Sequence, residues 1–132
     1  MKRLALIATL AFAAQPAEAL PRGHGPVPTR VGRCVRTTIA TVSQRLEDGV
    51  THQVMAGSGS AVEFTDGLYQ VSYDQVGAVN RSRRGDPVTI CLRELPTHCP
   101  PGDVRGKVYH TTNLRTRQSW TLPDSEHGCG GA

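Results

Sequence analysis

The stretch CLRELPTHCPPGD, Cys91 to Asp103, sets two cysteines with seven residues between them and a histidine, His98, beside the second. Three chemistries use such residues: metal ligation, thiol redox exchange and disulfide cross-linking. Zinc sites bring cysteines together as C-x2–4-C, and the spacing here is wider than that. No C-x-x-C occurs, so a thioredoxin-like redox pair has no basis. His98 next to Cys99 and His127 near Cys129 leave a zinc protein as a minor alternative. Cross-linking is the better reading, because the four cysteines, Cys34, Cys91, Cys99 and Cys129, form an even set in a chain that begins like an exported one.

Lys2 and Arg3 precede the apolar run Leu4–Ala14, and Pro16 with Ala17-Glu18-Ala19 follows it. This is the pattern of a secretory signal cleaved after Ala19. The run is well short of the roughly 20 apolar residues that a spanning helix needs. The sequence therefore predicts a signal over 1–19, a flexible Pro/Gly/Arg-rich leader over 20–33 and a single domain over 34–132, located in the periplasm or secreted. Four cysteines allow three pairings. Pro96 turns the chain between Cys91 and Cys99, so the expected bridges are Cys91–Cys99 and Cys34–Cys129. Loop closure makes the short bridge worth roughly 2–3 kcal/mol and the long one roughly 4–5 kcal/mol.

Other polar groups have the chemistry of recognition or catalysis. The densest basic cluster is Arg81, Arg83 and Arg84; guanidinium forks bind carboxylates and phosphates. No aromatic residues interleave with it, which argues against nucleic acid. Arg84-Gly85-Asp86 spells an adhesion tripeptide, but three residues are too few to carry that reading. Asn80-Arg81-Ser82 fits the glycosylation sequon, which matters only in a eukaryotic secretory pathway. The richest polar run, Asp103, Arg105, Tyr109, Asn113, Arg115, Trp120, Asp124 and His127, has the acid, guanidinium, amide and aromatic groups of a recognition face. The plainer alternative has Asp103 and Arg105 pairing locally, Asn113 making a turn and Trp120 in the core. No spacing selects a nucleophile with its base, and no cofactor or metal is implied. The expected function is a non-enzymatic binding module for another exported protein or an anionic envelope component.

The elements that must position these groups read as strands. SAVEFT-DG-LYQVSY, residues 60–73, has a two-residue type I′ turn at Asp66-Gly67 in this reading. Phe64 then faces Tyr69 and Val62 faces Val71, with Tyr73 on the same side and Gln70 on the other. A second Asp-Gly, Asp48-Gly49, marks a hairpin over 37–55, with a helix over Ile39–Leu46 as the competing reading. Val88, Ile90 and Leu92 alternate in PVTICLREL, and GKVYHTT and RQSWTL form a last pair around NLRT, with Trp120 and Leu122 inward. GSGS, 57–60, is a flexible connection. The expected fold is all-β: a small disulfide-stapled sandwich or barrel of about six to seven antiparallel strands.

CPPGDVRGKVYHTTNLRT and SWTLPDSEHGCGGA resemble a group of small exported proteobacterial proteins with C-P-P-G-D-x-R-G, N-L-R-T, W-x-L-x-D-S-x-H and a terminal C-G-G-A. The resemblance covers residues 57–132 and implies export and a shared architecture, without an activity or site residues. GSGSAVEFTDGLYQVSY is similar to strands of small periplasmic β-barrel lysozyme inhibitors, which implies inhibition of a cell-wall hydrolase as an alternative; the inhibitor loop of that family is not evident here.

Overall fold

The computed structural model describes residues 25–131; the signal segment and the first part of the leader lie outside them. Six strands and one helical turn follow in order: β1 Cys34–Gln44, β2 Ser60–Phe64, β3 Tyr69–Ser72, α1 Gly77–Asn80, β4 Pro87–Glu94, β5 Val108–Asn113 and β6 Ser119–Pro123. They form one antiparallel sheet in the order β3-β2-β1-β4-β5-β6, curled into a half-barrel. The all-β expectation is met, with six strands. Residues 39–46 belong to a strand and its continuation, so the helical alternative for them falls.

β1 is the hinge of the sheet. Its first half, Cys34–Thr38, pairs with β4, and its second half, from Ile39, pairs with β2. The register shifts between Ile39 and Thr41. Such a bulge bends a strand and increases its local twist, which is what a sheet needs to curl. The concave side is filled by Ile39, Val62, Phe64, Leu68, Val79, Val88, Ile90, Leu92, Tyr109 and Trp120. The alternation in β4 is strict: Val88, Ile90 and Leu92 are fully buried. Pro87 opens that strand, where its missing N–H costs no ladder bond.

The β2–β3 hairpin departs from the expected register. Phe64 N donates to Leu68 O at 2.9 Å, and Gly67 N donates to Phe64 O at 3.0 Å. Gly67 has φ +90°. This is a three-residue loop, a tight turn followed by a left-handed glycine, and not a two-residue turn. The pairs become Glu63↔Tyr69, Val62↔Gln70 and Ala61↔Val71. A one-residue slip exchanges the faces of a strand. Gln70 therefore enters the core, while Tyr69, Val71 and Tyr73 take the other face, where Val71 is nonetheless buried and Tyr73 is exposed.

The expected disulfides are also corrected. The bridges are Cys34–Cys91 and Cys99–Cys129. Cys34 and Cys91 sit directly opposite each other on neighbouring strands, with their Cα atoms 4.0 Å apart. Strand pairing thus places Cys91 opposite Cys34, not beside Cys99. Cys99 then joins Cys129, linking the loop after β4 to the tail after β6.

The leader, expected to be unpacked, is part of the fold from residue 25. Pro28 is buried, Val27 packs on the core, and Gly32 N donates to Leu92 O at 2.9 Å. GSGS is likewise structural at its end. Gly59 has φ +117°, and a Cβ there would stand 2.1 Å from Ser72 O, so only glycine fits. The Asp48-Gly49 turn exists, but its second arm makes only the Glu47↔Val54 bridge and no strand.

Candidate functional site

Two neutral amides organise the polar interior. The Gln70 side chain reaches from β3 across the opening of the half-barrel. Its Nε2 donates to Tyr109 O (2.9 Å) and Leu122 O (3.1 Å). Its Oε1 accepts from Thr111 Oγ1 (2.7 Å) and Trp120 Nε1 (2.9 Å). All four hydrogen-bonding positions of the amide are used. Tyr109 and Trp120 are therefore core residues, and the recognition role expected of them is corrected. The Tyr109 hydroxyl donates to Pro28 O, and burial, with Asp124 and Asp66 adding to it, pushes its pKa up to about 12.

Asn113 is the second hub and is also fully buried. Its Nδ2 donates to Ser82 Oγ and Asp86 Oδ2, both at 2.8 Å. Its Oδ1 accepts from the amides of Arg115 (2.9 Å) and Thr116 (3.2 Å), which shapes the β5–β6 turn. Asp86, only 3% exposed, receives Arg115 Nε and Nη2, the latter at 2.8 Å, and the Arg83 amide at 3.0 Å. The Arg115 guanidinium outweighs burial, and Asn113 and the Arg83 amide assist, so the Asp86 pKa falls to about 2. Burial of Asp86 also removes the adhesion tripeptide from display.

This core ties two arginine-bearing loops into one surface. Arg115 Nη2 donates to Arg81 O at 3.0 Å, and Arg81 Nε donates to Gln118 Oε1 at 2.8 Å. Residues 81–86 and 113–118 hold Arg81, Arg83, Arg84, Arg115 and Arg117 against one acid, Asp86. That is a formal +4, as much as the whole chain carries. Arg81, Arg83, Arg84 and Arg117 are exposed. Among the described residues the guanidinium groups of Arg84 and Arg117 have no polar partner, which leaves their donors for a ligand. The sequence pointed to Arg81, Arg83, Arg84 and Arg115. Arg117 was missed, and the signal that could have found it is its place in the turn that Asn113 nucleates.

The remaining residues of the expected recognition face lie elsewhere. Asp103 and Arg105 pair with each other, Nη2 to Oδ2 at 2.9 Å, and both hold the tail: Gly130 N donates to Asp103 Oδ2 and Arg105 Nη2 to Gly131 O. The Arg105 hydrogen bonds, with the Gly130 amide, set the Asp103 carboxyl well below the usual carboxylate range. Asp124 Oδ1 accepts from the amides of Gly106 and Lys107. His127 lies with its ring centroid 6.5 Å from that of Tyr73, beside Arg45, which stacks on Tyr73 and pairs with Glu126. The eight residues thus do not form one face.

All four cysteines are cross-linked, so Cys99 and Cys129 hold each other and cannot act as thiolate ligands beside His98 and His127. Among the described residues no three histidine, cysteine or acidic side chains converge as a metal site requires, and no helix there is long and apolar enough to cross a membrane. The two disulfides fit a protein outside the cytoplasm. Compared with protein-family models, curated proteins and solved structures, the chain matches none.

Proposed function

We propose that this protein is an exported, non-enzymatic binding module whose arginine-lined end takes a phosphate- or carboxylate-bearing component of the cell envelope. The reading is carried by one observation: five arginines meet on two loops with a single, already neutralised acid between them. Asp86 and Asn113 hold the loops in place, so the backbone that carries the exposed forks is ordered before binding and only the arginine side chains remain to be fixed by a ligand. Arginine suits this task because its planar donors match phosphate and carboxylate oxygens in pairs. Export is supported by the leading segment, with cleavage expected after Ala19 and a mature chain beginning at Leu20.

The test is binding of a soluble polyanion, short-chain polyphosphate, by calorimetry across a salt series. Arg83, Arg84 and Arg117 are replaced together by alanine; none of them holds a buried partner through more than a loose contact, so the fold survives. Binding that weakens about tenfold or more, with a flatter dependence on salt, is the expected result. Equal affinity in the two proteins rejects the reading.

A further inference from the structure

Beside the arginine-lined end stands a projecting loop, residues 45–59 between β1 and β2, that the binding reading does not use. It carries three exposed apolar side chains: Val50 (88% exposed), Val54 (59%) and Met55 (50%). Exposed apolar groups gathered on one loop mark contact surfaces. The loop is built, not slack. Asp48 Oδ1 accepts from the amides of Val50 (2.9 Å) and Thr51 (2.7 Å) and from Thr51 Oγ1 (3.0 Å). Asp48 N donates to Gln53 O and Met55 N to Leu46 O, which closes the base. His52 takes a left-handed backbone, φ +56°, a conformation that histidine adopts more readily than most residues other than glycine.

The loop and the arginines share one side of the molecule. Val54 and Asn80 line a common depression of about 360 Å³, together with Val42, Ser43 and Gln44. Asn80 directly precedes Arg81. Gln44 Oε1 accepts from Gly57 N and from Gln75 Nε2, and Gln75 Oε1 accepts from Asn80 Nδ2, so the loop is fastened to the segment that leads into the arginines.

Resting on the anion-binding reading, we infer that this side is a membrane-docking surface: the arginines meet anionic headgroups while Val50 at the loop tip enters the acyl boundary. The occupant is argued from complementarity. A soluble polyanion satisfies the arginines but gives Val50, Val54 and Met55 nothing. An anionic bilayer offers negative headgroups and an apolar layer a few ångströms beneath them. Neither signal alone gives firm attachment, whereas an apolar anchor with a basic patch does. The acids in the loop, Glu47 and Asp48, stay charged and reduce the +4 of the arginine loops to +2 on this side, Arg45 being paired with Glu126, so the arginines still set its sign.

The experiment uses the mature protein with vesicles of phosphatidylglycerol and phosphatidylcholine, and vesicles of phosphatidylcholine alone. Val50→Trp reports insertion, because the one native tryptophan, Trp120, is already buried. The expected result is a blue shift of the Val50→Trp emission with the anionic vesicles only. Val50→Ser, which leaves the charge unchanged, then binds those vesicles more weakly by about tenfold or more, the worth of one valine leaving an apolar medium, and binds polyphosphate as the parent does. Val50 is exposed, so neither change threatens the fold. Vesicle binding without a blue shift overturns the inference, as does polyphosphate binding with no vesicle binding; the latter leaves the anion-binding reading intact. Loss of both overturns both. Self-association abolished by Val50→Ser in sedimentation, without vesicle binding, assigns the loop to a second copy and also overturns it.

Discussion

Gln70 is a glutamine where an all-apolar core would have leucine, and the reason is the open side of the half-barrel. Curling brings β3 against β5 and β6, where the Tyr109 and Leu122 carbonyls, the Thr111 hydroxyl and the Trp120 indole N–H all meet its amide. A buried group left unpaired costs about 1–3 kcal/mol. Gln70→Leu matches the shape but strands these partners, and we expect it to lower unfolding free energy by about 3 kcal/mol or more in urea titration. A loss below about 1 kcal/mol would mean that water replaces the amide. Asp86 makes a second case. Its folded pKa, about 2, lies below its ordinary 3.8, so its contribution is present above 3.8 and is lost as pH falls toward 2. Asp86→Asn leaves Arg115 without its carboxylate and is expected to cost about 3 kcal/mol at neutral pH. The acid limb of a thermal-midpoint profile should flatten over that same window, and an unchanged limb would contradict the assignment.

Strands and turns were read from the sequence more reliably than what joins them. Period-two alternation marks β4 and β6, because in those strands one face is core and the other is not; β5 buries Tyr109, Thr111 and Asn113, so it reads only as the partner of β6. Asp-Gly marks the β2–β3 hairpin but leaves its register open. Asp-Gly suits a two-residue turn and also the end of a three-residue loop with glycine in the left-handed position. Hydrophobicity favoured the first, since it put Tyr69 and Val71 with Phe64; the structure uses the second and places a glutamine inward, which pattern matching penalises. The same limit explains the arginine-lined end: the cluster at 81–84 was visible in sequence, but its union with Arg115 and Arg117 depends on a β4–β5 pairing, Val88↔Asn113, that no local pattern encodes. The disulfides show it again. Proximity in sequence favoured Cys91–Cys99, while sheet order joins Cys34 to Cys91. With separations of 57 and 30 residues, loop closure makes the bridges worth about 4 and about 3.5 kcal/mol. Peptide mapping without reduction should yield a Cys34–Cys91 and a Cys99–Cys129 fragment pair. Replacing either pair by alanine should lower stability by that order, and a Cys91–Cys99 fragment would refute the topology of β1 and β4.

Taken whole, the molecule separates what holds it together from what it presents. The leader closes the core near the Tyr109 end of β5, where Pro28 O accepts the Tyr109 hydroxyl and Val27 covers apolar side chains. The arginines sit at the other end of that strand, around Asn113. A chain beginning at Arg30 removes Val27 and Pro28 and exposes the Tyr109 hydroxyl. Val27 is only partly buried, so we expect a loss of about 2 kcal/mol, read as a fall of roughly 10 °C in Tm for a domain of this size. Asp86, Asn113 and both arginine loops are untouched, so polyphosphate affinity below the lowered Tm should be unchanged. A shorter chain that keeps its Tm would mean that the leader only lies on the surface. One that folds but loses the polyanion would give the removed segment a part in binding, and the division between a closing end and a presenting end would have to be abandoned.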